Sequence, residues 1–84
     1  MEQCLIMCRS LTYAQAAMRT LERSGISVSL MKAPQSISAA GCSYGVRVPL
    51  RRLQECLELL RRNNRPIGKV YRFLQDGTLE EMSV

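Results

Sequence analysis

The 84-residue sequence contains no histidine and no tryptophan, one phenylalanine and three tyrosines. Without histidine there is no Ser-His-Asp triad, no Cys-His dyad and no imidazole general base within the chain. Zinc sites that need histidine are excluded as well. The four cysteines, at 4, 8, 42 and 56, form no C-x-x-C pair, so no metal site is expected and no cofactor is implied. No apolar run is long enough to cross a bilayer. The start, Met1-Glu2-Gln3-Cys4-Leu5, lacks the basic opening and long apolar stretch of a signal peptide. A cytoplasmic location with reduced thiols is expected.

What is present is a small basic domain. Hydrophobic residues make up 46% and charged residues 23%, the balance of a folded chain rather than a disordered one. The length allows one domain with a modest core. Residues 1–75 hold all 12 basic groups and carry a net charge of +8. Residues 76–84 hold Asp76, Glu80 and Glu81 and no basic group. The chain therefore divides into a domain over 1–75 and an acidic C-terminal tail over 76–84.

Residues 3–8 are apolar on both faces, which predicts a central strand. Thr12 with Gln15 fits a capping box, with Ser10 as the alternative cap. Ala14, Ala17, Met18 and Leu21 repeat at helical spacing, and Gly25 stops that helix. Residues 26–30 alternate as a strand, and residues 33–43 break the pattern with Pro34 and Gly41. Residues 44–48 alternate again, and Pro49 opens a second helix. Leu50, Leu53, Leu57 and Leu60 mark its buried stripe, with Arg51–Glu55 and Glu58–Arg62 as i,i+4 pairs on the wet face. Asn63-Asn64 end it, and residues 67–74 form a fourth strand.

The order β-α-β-β-α-β with right-handed crossovers predicts an α+β, ferredoxin-like sandwich. Its four-stranded antiparallel sheet carries two helices on one face. That connectivity gathers the end of strand one, the start of helix one, the 33–43 loop and the end of helix two at one edge. Cys8, Arg9, Lys32, Cys42, Arg61, Arg62 and Arg65 all belong to it. Positive charge there favours a thiolate. Cys56 lies on the second helix's apolar stripe and Cys4 lies mid-strand, so both read as small core residues. Cys8 reads as core or site. Cys42 differs, standing beside Gly41 in a loop with no apolar period.

Ser10, Ala14, Leu21 and Gly25-Ile26, then Pro34, Ile37-Ser38 and Gly41-Cys42, resemble the selenium/sulfur (Se/S) carrier protein-like family. Val46 to Val48 and the leucine-rich helix follow in the family's order, so the resemblance spans about residues 3–73. It implies a carrier rather than an enzyme, holding sulfur or selenium as a persulfide or perselenide on Cys42. The implied partners are a donor enzyme, such as a cysteine desulfurase or selenocysteine lyase, and an acceptor of unknown identity. Ser36, Ser38 and the loop amides around Gly41 would hydrogen-bond the anionic sulfur. The resemblance carries the cargo-holding role to Cys42 alone; its position at the same edge makes Cys8 a candidate resolving thiol, releasing the cargo through a Cys8–Cys42 disulfide.

Two other readings stay open. A basic ferredoxin-like domain can bind nucleic acid through aromatics on its open sheet face. Here only Tyr13, Tyr44, Tyr71 and Phe73 could serve, and the glycine-aromatic signature of RNA-recognition motifs is missing, so nucleic acid is not the expected partner. Alternatively, the basic edge docks an acidic protein, or the open face pairs with a second copy to make a homodimer.

Overall fold

A computed structural model describes residues 2–33 and 44–83 of the chain. The elements are β1 (Gln3–Cys8), α1 (Leu11–Arg23), β2 (Ser29–Lys32), β3 (Tyr44–Pro49), a 3-10 turn (Leu50–Arg52), α2 (Leu53–Arg62), β4 (Val70–Phe73) and β5 (Leu79–Met82). All strand pairs are antiparallel and the order across the sheet is β2-β3-β1-β4-β5. The α+β class stands as expected, but the sheet has five strands, not four.

β1 is central because both of its faces are apolar. Cys4, Ile6 and Cys8 face the helices, where they join Val46, Val48 and Val70. Ala14, Ala17 and Leu21 of α1 and Leu53, Cys56, Leu57 and Leu60 of α2 close that layer from above. Leu5 and Met7 point the other way and pack with Ala33 and Tyr71, flanked by Met31, Phe73 and Leu79. Each fully buried large aliphatic side chain contributes about 1.5–3 kcal/mol. A polar residue inside β1 would break one of the two layers.

Both helices end on the same device. Gly25, at φ +80°, lets its N–H reach Glu22 O and the next N–H, that of Ile26, reach Leu21 O. Asn64, at φ 56°, does the same for α2, with Asn64 N–H to Arg61 O and Arg65 N–H to Leu60 O. This pairing satisfies carbonyls that the helix leaves open. It also explains why β2 begins at Ser29 and not at Ile26. The Ile26 amide is spent on the cap and its side chain is buried beneath α1. At the other end of α1 the cap is Ser10, whose Oγ accepts from Tyr13 N–H at 3.5 Å, rather than Thr12.

The fifth strand comes from the stretch expected to be a tail. Leu74 N–H bonds to Thr78 O and Gly77 N–H to Leu74 O, with Gly77 at φ +87°. The Asp76 carboxylate accepts from the Thr78 N–H at 3.0 Å and hydroxyl at 2.6 Å. This is a three-residue hairpin loop closed by a left-handed glycine. The acidic residues then meet basic ones across the strands, Glu80 with Arg72 at 2.8 Å and Glu81 with Lys69 at 3.6 Å.

The second helix also differs in detail. Its first turn is 3-10, with three residues per turn, and Arg52 rather than Arg51 reaches Glu55, at 2.9 Å. Among the described residues, no helix is long and apolar enough to cross a membrane.

Candidate functional site

Three of the four cysteines are built into the core. Cys4, at 0% exposure, sits mid-strand with its Sγ 3.7 Å from Met82 Sδ of β5. Burial raises its pKa, with Arg72 lowering it and Glu2 raising it to smaller extents. Cys56, also at 0%, lies on the α2 stripe, and burial together with the nearby Glu55 pushes its thiol up to about 11 against an opposing effect of Arg52. Cys8, at 6%, points its Sγ at Ile6 O at 3.8 Å, and burial pushes it up to about 11. All three are neutral thiols at pH 7, poor nucleophiles and poor metal ligands. Among the described residues no cluster of three or more cysteine, aspartate or glutamate side chains could hold a metal ion.

Burial of the Cys8 thiol counts against a resolving role for it. The loop residues Ser36, Ser38, Gly41 and Cys42 lie outside the described residues.

The basic residues divide into exposed groups and one that is tied into the fold. Lys32 is exposed and pairs in the sheet with Tyr44, which pairs on its other side with Cys8. Arg9 is exposed and borders a cleft of about 210 Å³ shared with Cys8, Pro66, Ile67 and Gly68. Hydrogen bonds between Met7 and residues 68–69 fix the approach to β4 beside the end of β1. Arg61 and Arg62 are exposed in the last turn of α2. Arg65 is different. It is half-buried, and its Nε donates to Thr20 Oγ1 of α1 at 3.2 Å. The Thr20 hydroxyl in turn donates to Ala16 O at 3.0 Å. Arg65 ties the two helices together, so at least one of its donors is committed to the fold.

At the other end of the sheet lies a groove that composition and spacing did not reveal. It is open, about 600 Å³, and is lined by Gln3, Arg47, Arg72, Phe73 and Leu74 among others. The Arg47 guanidinium lies 4.7 Å from the Phe73 ring centroid and its Nε donates to Gln3 Oε1. The only sequence signal was the alternation of β3 and β4, which places Arg47 and Phe73 on one face.

The aromatics fail as a stacking platform. Tyr71 is buried at 8% exposure, Phe73 lies beneath Arg47, and Tyr44 packs against the helix-side core. Tyr13 is exposed, but on α1 and not on the sheet. Base stacking needs a free ring face. Among the described residues no sheet aromatic offers one on the open face.

Against known proteins, the sequence model of one family matches residues 3–72. Its description is "Putative Se/S carrier protein-like". Comparison with curated proteins and with solved structures gives no match.

Proposed function

Since the chain belongs to the Se/S carrier protein-like family, we propose that it carries sulfur or selenium on Cys42. One observation carries the choice of residue. Cys4, Cys8 and Cys56 are buried thiols with raised pKa values, so Cys42 is the remaining cysteine of the four.

The Cys42 thiolate attacks the terminal sulfur of a donor protein's persulfide. The donor's S–S bond breaks, its cysteine leaves as a thiolate, and Cys42 now bears the persulfide. One sulfur atom moves and no outside oxidant or reductant is needed. A perselenide forms in the same way from a donor that holds selenium. An acceptor thiolate or other nucleophile then removes the outer atom and regenerates the Cys42 thiolate. Donors suited to this chemistry are a cysteine desulfurase or a selenocysteine lyase. Ser36, Ser38 and the amides near Gly41 are assigned to hydrogen-bond the anionic sulfur. No step passes through Cys8.

Incubation with a cysteine desulfurase and free cysteine tests this, read by intact mass. The wild type gains the mass of one sulfur atom and Cys42→Ser gains none. Equal loading of that variant rejects the proposal.

A further inference from the structure

Basic residues stand at both ends of the molecule, but the net positive charge falls at one. Four acidic residues mark the opposite end. Glu2 lies where its carbonyl accepts from Leu50 N–H, Glu22 is in the last turn of α1, Glu55 is in the first turn of α2, and Asp76 is in the β4–β5 loop. Arg23, Arg47, Arg51 and Arg52 stand among them and offset their charge. Of the remaining three acidic residues, Glu80 and Glu81 are paired with Arg72 and Lys69, and Glu58 lies on α2 one turn before Arg62.

At the first end are the last residues of β1 and β2, the first residues of β3 and β4, and the last turn of α2. Arg9, Lys32, Arg61 and Arg62 are exposed there, and among the described residues none of the four forms an ion pair. Asp76, the third acidic group of residues 76–84, lies in the β4–β5 loop away from this end. The chain enters and leaves the segment bearing Cys42 at the same end, at Ala33 and Tyr44.

We infer that this end is a docking face for an acidic protein surface, that of the sulfur donor, an inference that rests on the carrier reading above. Exposed cations gathered at one end of a molecule steer an oppositely charged partner and raise its association rate. A protein is favoured over single-stranded nucleic acid because the open sheet face lacks a free aromatic stack. Rim charges of this kind act on the association rate and its salt dependence more than on chemistry.

The test compares three proteins: wild type, Arg61→Glu/Arg62→Glu, and the control Arg23→Glu/Arg51→Glu. The control reverses the same number of exposed charges at the opposite end. Each is loaded from a sulfur-charged cysteine desulfurase and, separately, from inorganic polysulfide, which needs no docking face. Intact mass is followed with time at low and high sodium chloride. The first pair slows loading from the desulfurase at low salt by about tenfold or more. It slows polysulfide loading far less than desulfurase loading, and the control pair behaves as wild type. Wild-type transfer slows as salt rises and approaches that of the first pair.

Equal slowing by both pairs overturns the docking face, since net charge alone would then explain the effect. So does slowing by neither pair, or wild-type transfer that ignores salt. Loading by polysulfide but not by the desulfurase overturns docking of this donor class while Cys42 remains a carrier. Failure of wild type to load from either source overturns the carrier reading and the docking face with it.

Discussion

Gly45 shows how closely single atoms determine this fold. A Cβ built there would lie 2.7 Å from Leu5 Cδ1 and 2.9 Å from the Ile6 carbonyl oxygen. The side chain could yield, but the backbone oxygen belongs to the central strand. Gly45→Ala is expected to cost about 1–3 kcal/mol, by the overpacking it forces. Gly68→Ala, whose nearest neighbour would be Met7 O at 3.4 Å, is the milder control. Urea midpoints of the two variants check this, and equal stability would refute the steric account. The thiols divide by the same kind of detail. Cys56 was legible as core because it falls on a 3.6-residue stripe. Cys8 was not, because a strand's last residue can face either the core or solvent. The Arg65–Thr20 bond joins residues 45 apart and leaves no local pattern to read.

Among the elements, β1, β3 and both helices were legible, since each combines a clear period with a capping or breaking residue. β2 was displaced by the Ile26 cap, a use of a backbone amide that side-chain alternation does not report. β5 is hidden in the sequence because its acidic side chains mask its turn chemistry. Asp76-Gly77 followed by Leu79 and Met82 carries a hairpin signal, yet the three acidic residues read as a tail. The Asp76 carboxyl is held below its ordinary range, first by the Thr78 side-chain hydroxyl and then by the Thr78 backbone N–H. A depressed carboxyl stabilises the fold above its unfolded pKa and loses that contribution as pH falls through its folded value. Asp76→Ala at pH 7 should therefore loosen the hairpin. Amides of Leu79–Met82 are expected to exchange faster while those of β1 keep their protection. Unchanged exchange in β5 would refute the role given to Asp76.

For the whole molecule, the buried thiols set a limit in alkali. Cys8 and Cys56 rise from an ordinary 9.0 to about 11 in the folded chain. Below pH 9 both states hold the protons and the thiols make stability independent of pH. Between 9 and 11 the unfolded chain releases them first, so stability falls as pH rises. The urea midpoint should drop across this window, and Cys8→Ala should drop less steeply. A midpoint as steep in that variant as in wild type would remove Cys8 from the account. The same central strand has a consequence for how the protein is made. β1 takes its partners from residues 44–49 and 70–73, so synthesis of residues 3–8 precedes every strand that will cover them. Until those later residues leave the ribosome, Cys4 and Cys8 are ordinary titrating thiols on an unshielded apolar run. The nascent chain thus offers oxidants and electrophiles two sulfurs that the finished protein withdraws.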